Sequence, residues 1–317
     1  MKRKFVLLSL IVISATLLIS SQRKIEPNFP ELKGPYLGQK LPGTKPEIFA
    51  PAVFSIYKNA YSSVFSPCGN EFYFARFDPE KNSSSIFCMK KVNNIWKKPI
   101  KVSFNSKYTD HNMCLSVDGF RMFFRSKRPL PGGSEPPKDR HYLWYVIRTR
   151  TGWSTPRLVE YSGYKSITTA YQSITSKGTL YFATPGFVGD LDLHCSRFVD
   201  GSYAIPKNLG EPINTKYSEA DMYIAPDESY IIASCWDRPD NNGESDLYIS
   251  FQKKDGSWTK LLNLDRPINN ELIENCPMVS PDGRFFFFLR YDPNKKIGQT
   301  YWVDAKILET FRSKELK

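Results

Sequence analysis

Three carboxylates recur at one place in a repeated pattern. Asp110, Glu219 and Glu274 each lie six residues before the small residue that opens a turn motif, with Ala60 and Thr169 at the matching places in two further copies. His111 and Asp221 stand beside them. Carboxylates gathered from separate parts of a chain can act as acid, base and pKa-tuning group in glycosidic cleavage. Recurrence at matching positions also fits a plainer role, in which each carboxylate hydrogen-bonds to backbone within its own repeat. His111 next to Asp110 has the makings of a metal ligand or proton shuttle, against the simpler reading of a satisfied polar side chain. Arg76, Arg125 and Arg290 end the second segment of three copies, where guanidinium groups could clamp a carboxylate or sulfate, or pair with Asp110, Glu219 and Glu274. Trp236, in the loop "WDRPDNNGES" (236 to 245), offers a flat surface to a sugar or peptide, and a second long loop, "KRPLPGGSEPPKDRHY" (127 to 142), falls on the same side.

The elements that must position these residues are repeats. "FSPCGNEFYFAR" from Phe65, "LSVDGFRMFFRS" from Leu115, "ITSKGTLYFAT" from Ile174, "IAPDESYIIASC" from Ile224 and "VSPDGRFFFFLR" from Val279 align on a turn, spaced 50, 59, 50 and 55 residues apart. A period near 50 marks an array of one supersecondary unit. Each copy continues through a loop, a strand such as "SDLYISF", a polar turn and a short last segment, which makes four strands per unit. The pattern predicts an all-β, five-bladed β-propeller of four-stranded blades. Phe285 to Phe288 fit that architecture, because a strand apolar on both faces must be covered on both, as an inner blade strand is. The last unit lacks its fourth strand, and "PEIFAPAVFSI" (46 to 56) sits where fourth strands sit elsewhere, so an N-terminal strand is expected to close the ring.

"SPDG" followed by an aromatic strand, together with "WDRPDNNGESDLYIS" (236 to 250), resembles the WD40-like propeller repeats called PD40, found in TolB-type periplasmic proteins and other exported bacterial proteins. The resemblance covers nearly the whole chain after residue 22 and implies the propeller fold. It implies no particular activity. A TolB-type count would be six blades, the alternative to five. Cys68 and Lys177 stand where the motif has Asp, and Val117 and Ser176 where it has Pro.

The start of the chain has the layout of a secretory signal: Lys2, Arg3 and Lys4, then an uncharged apolar run from Phe5 to Ile19. A poor cleavage site leaves open an uncleaved anchor over 5 to 19. The expected organisation is signal or anchor over 1 to 21, an extended surface lead-in over 22 to 45, the propeller over 46 to 310 and a tail over 311 to 317. Six cysteines without paired spacing read as scattered thiols, and they lack the grouping of a zinc site. The formal charge of +12 becomes about +9 without the three leading bases, a surface that can attract anionic polymers. Nucleic acid fits an exported chain poorly. No phosphate loop, GxSxG elbow or sialidase Ser-x-Asp-x-Gly-x-Thr-Trp box is present, and residues 237 to 246 lack the spacing of a calcium loop. The expectation is a periplasmic or secreted monomeric binding module without cofactor or metal. It would recognise an envelope protein or glycan, with anionic character, through Arg76, His111, Arg125, Asp221, Trp236 and Arg290. The alternative is a glycan-active hydrolase or lyase using Asp110, Glu219 and Glu274.

Overall fold

Every turn motif opens a hairpin, and its side chains explain why. Ser66, Ser116 and Ser280 each accept the backbone N–H five residues on, and Asp118 and Asp282 accept the N–H two residues on. The glycine that follows, for example Gly283 at φ 72°, takes the left-handed conformation that closes the turn. The computed structural model describes residues 29 to 315, apart from 139, 164 to 166 and 186 to 190. The candidate signal or anchor therefore lies outside the described residues.

The chain is an all-β propeller. Five inner strands, Ala60–Phe65, Asp110–Leu115, Ala170–Ile174, Ser218–Ile224 and Ile273–Val279, pair antiparallel with the strands that follow their turns. Third strands such as Ser245–Phe251 extend each sheet, and two-residue fourth strands such as Leu262–Asn263 finish it. The inner strands touch in chain order and the fifth touches the first, which closes a ring. The final sheet takes its fourth strand from the N-terminal side, Glu47 and Ile48 pairing with Trp302 and Tyr301.

The four phenylalanines fill two seams between sheets. Phe285 and Phe287 pack with Phe49, Phe65 and Trp302 on one side, while Phe286 and Phe288 pack with Ile232, Phe251 and Val303 on the other. None is more than 3 % exposed, so each side chain contributes roughly 2–3 kcal/mol of apolar burial.

Two segments at the ends of the propeller pack onto it. The described part of the lead-in is fastened to the first sheet and to the core. Leu32–Lys33 pairs with Ile95–Trp96, the Trp96 indole N–H donates to the Gly34 carbonyl at 2.7 Å, and Leu37 is buried. The Tyr36 ring sits 4.8 Å from that of Phe285 and 5.2 Å from that of Phe65, because Tyr36 and Leu37 both adopt positive φ and turn inward. The C-terminal end is a helix, Lys306–Glu315, that straddles the expected start of the tail. The Asp304 carboxylate accepts the Lys306 N–H at its start, and Leu308 and Phe311, three residues apart on one helix face, bury against Phe251 and Val303.

Candidate functional site

The recurrent carboxylates prove to be blade fasteners. Asp110, Glu219 and Glu274 are all 0 % exposed, and each accepts the backbone N–H four residues upstream, from Ser106, Thr215 and Asn270 respectively. Asp110 also accepts from the Ser106 hydroxyl and pairs with Arg128 at 2.8 Å; Glu219 accepts the Thr215 hydroxyl at 2.6 Å; Glu274 pairs with Arg290 at 2.7 Å. Burial raises the pKa of Glu219 and brings Glu274 to about 7 against the pull of Arg290. None of the three lines the central cavity. Asp110, Glu219 and Glu274 take the plainer of the two roles open to them: each accepts hydrogen bonds inside its own repeat, where a buried acceptor must be satisfied.

The arginines divide. Arg290 takes the pairing alternative, and Arg76 donates to the Lys58 carbonyl at 3.2 Å. Arg125 is out of step with both. Its Cα lies opposite His111, whereas Arg76 lies opposite Ala60 and Arg290 opposite Glu274. Because strand side chains alternate, that offset sends Arg125 to the other face, and Asp110 pairs instead with Arg128 from the long loop. Trp236 pairs with Ser245 and Ser218 at the base of its loop, which is tied together by Asp246 accepting the N–H groups of Asn242 and Gly243. Among the described residues no group of three or more His, Cys, Asp or Glu is placed to hold a metal.

A second set of residues does meet. All five inner strands carry a bulge that takes in the residue two past the fastener position. A bulge re-aims the side chains beside it. Ser62, Asn112, Tyr171 and Cys276 occupy matching places with φ of 45°, 47°, 32° and 52°, and Asp221 is the fifth member. Ser62, Asn112, Tyr171 and Cys276, with Met113 and Met222, line a central cavity of about 180 Å³. Asp221 binds to the neighbouring inner strand, accepting the Cys276 N–H at 3.0 Å and facing its thiol at 3.4 Å. Burial brings Asp221 to about 7 and pushes the Cys276 thiol and Tyr171 phenol well up.

At the fastener end of this ring lie His111 and His141, with Nε2 of one 3.3 Å from Nδ1 of the other. Burial, and then the charge of Arg125, lowers both; His141 falls to about 3 and both imidazoles are neutral near pH 7. Tyr61 packs against His111 at 6.1 Å, and the Arg125 guanidinium lies 6.0 Å from the Tyr171 ring. Several buried polar atoms here have no partner among the described residues: Arg125 Nε, His141 Nε2, both amide atoms of Asn112, and Gln172 Oε1. His111, Arg125 and Asp221 were legible as candidates. Tyr61, Asn112, His141, Tyr171 and Cys276 were not, although the runs "NAYSS", "TDHNM", "TTAYQ", "SEADM" and "IENCP" show the signal, since their fourth letters differ in every copy.

No family model matches this sequence, and no curated protein matches it. Among solved structures, one described as a TolB from Agrobacterium tumefaciens aligns with a TM-score of 0.52 at 15 % identity, covering 77 % of this chain and 76 % of that one. It supports a TolB-like propeller fold. A GH43 glycoside hydrolase aligns at 0.47 and 12 % identity, covering 82 % of this chain and 51 % of that one, and the Kuenenia stuttgartiensis hydrazine synthase at 0.43 and 15 %, covering 74 % and 65 %. At those scores neither bears on function.

Proposed function

We propose that this protein is an exported binding module of the cell envelope, periplasmic or secreted, that receives part of a glycan or envelope protein in its central channel. One observation carries the reading. Two residues past the fastener stand Ser62, Asn112, Tyr171, Asp221 and Cys276, five different residue types at one repeat position of which all but Asp221 line the cavity, while the fastener position keeps a buried polar or acidic group in four of five copies. Structural needs repeat with the fold; recognition of an asymmetric ligand does not. The basic surface suits an anionic partner. A hydrolase built on Asp110, Glu219 and Glu274 is disfavoured, because these enclosed carboxylates are already bonded within their repeats.

The test is incubation of the protein with a panel of neutral and acidic polysaccharides and envelope extracts, following retention and release of new reducing ends together. Retention without turnover is expected. Turnover abolished by Glu219→Gln or Glu274→Gln would restore the hydrolase.

A further inference from the structure

We propose that the fastener end of the channel is an anion site in which Arg125 receives the carboxylate of a uronic acid residue, with His141 beside it. This rests on the channel-binding reading and names its ligand class.

The starting point is an uncompensated charge. The Arg125 side chain is largely enclosed, its Nε is buried without a partner, and it forms no ion pair among the described residues. Its neighbours are the rings of Tyr171 and Tyr61, the two histidines, Lys127 and Asp221. Asp221 is the one carboxylate in that group. It is turned to the Cys276 N–H and lies beyond ion-pairing distance of Arg125. A partly enclosed guanidinium without an ion pair leaves its buried Nε–H unsatisfied, and a ligand that supplies an anion can satisfy it with a charge-assisted hydrogen bond.

The histidine pair supplies a second donor by tautomer logic. If Nε2–H of His111 donates to Nδ1 of His141, neutral His141 must carry its own proton on Nε2. That atom is buried and unpartnered, like Arg125 Nε. An anion at Arg125 selects this tautomer, because the reverse arrangement would present a lone pair to it.

The rest of the lining narrows the anion's body. The Tyr171 ring, with the Arg125 guanidinium over it, and the Tyr61 ring, packed against His111, wall the site with aromatic surface. Deeper in, Gln172 Oε1 is an unpartnered acceptor, which suits a hydroxyl group that donates. The cavity of about 180 Å³ begins at Asn112 and Tyr171, on the turn side of Arg125 and the two histidines, which do not line it.

The experiment is thermal unfolding and histidine-ring NMR of the protein with D-glucuronate and D-galacturonate, beside D-glucose, acetate and inorganic phosphate as probes. The wild type should gain melting temperature with uronates, with the His141 ring signals shifting. Glucose should do little. Arg125→Met should weaken uronate binding by about 10- to 100-fold, the range for charge-assisted hydrogen bonds. The same variant without ligand should melt about 2–4 °C higher, because a buried unpaired charge has gone. A lower melting temperature would make Arg125 structural and overturn the proposal. So would glucose matching glucuronate, or no response to either uronate. Equal responses to acetate or phosphate would leave an anion site and refute the sugar. Polymer retention that survives Arg125→Met would keep the binding module and remove this site from it.

Discussion

Replacing Asp221 by asparagine should remove the pH dependence that this residue imposes on stability. Asp221 is 4 % exposed, and burial outweighs the Cys276 N–H, the Tyr171 hydroxyl and Arg125, carrying the carboxyl from 3.8 to about 7. That is about three units, or on the order of 4 kcal/mol at 1.36 kcal/mol per unit. The folded protein holds this proton more tightly than the unfolded chain. The group's contribution is therefore fully present below about pH 4 and is lost as pH rises through about 7. The asparagine would keep a neutral acceptor for the Cys276 N–H and never ionise. Urea unfolding followed by tryptophan fluorescence should show the two proteins within about 1 kcal/mol of each other at pH 4 and the Asp221→Asn variant more stable by about 3–4 kcal/mol at pH 8. Glu219 and Glu274, also raised by burial, contribute a slope common to both proteins, which cancels in the difference. Parallel stability curves, or a less stable variant at pH 8, would refute the reasoning and make ionised Asp221 a partner of Arg125.

Two further substitutions test the framework. Asp110→Ala should cost about 3–5 kcal/mol in urea unfolding, because it strands Arg128, whose side chain is 12 % exposed, beside an unsatisfied Ser106 N–H; a loss under about 1 kcal/mol would contradict the fastener role. Phe49→Ala removes a fully buried ring packed against Phe65, Phe72, Phe287 and Trp302 next to the closing strand. It should cost about 3–5 kcal/mol in thermal or urea unfolding, and a near-neutral result would mean that the N-terminal segment does not lock the ring.

Much of the fold was legible because its causes are local. The Ser-Pro-Asp-Gly turns write their own hydrogen bonds, and Phe285 to Phe288 state that a strand is covered on both faces. Closure by Glu47 and Ile48 followed from counting strands. What was not legible depended on distant partners. Nothing within residues 29 to 45 says that Tyr36 and Leu37 adopt positive φ, an unfavourable choice for such residues that is offset by packing on Phe65, Phe285 and Trp302, far along the chain. The helix Lys306–Glu315 likewise owes its buried face to Phe251 and Val303.

The site shows the same division more sharply. Asp110, Glu219 and Glu274 drew attention because carboxylates at one repeat position look purposeful, yet a device that repeats answers a need of every blade. Each carboxylate satisfies an upstream N–H where an inner strand begins, the same task in three of the five copies. A ligand entering the ring meets all the inner strands at once and breaks their symmetry, so its contacts must come from positions where the copies disagree. The bulges supply that freedom: they turn Ser62, Asn112, Tyr171, Asp221 and Cys276 toward a common centre while leaving the ladders on either side in register. Arg125 follows the same logic. One residue out of phase with Arg76 and Arg290, it escapes the pairing that engages Arg290 and stands unpaired toward the channel.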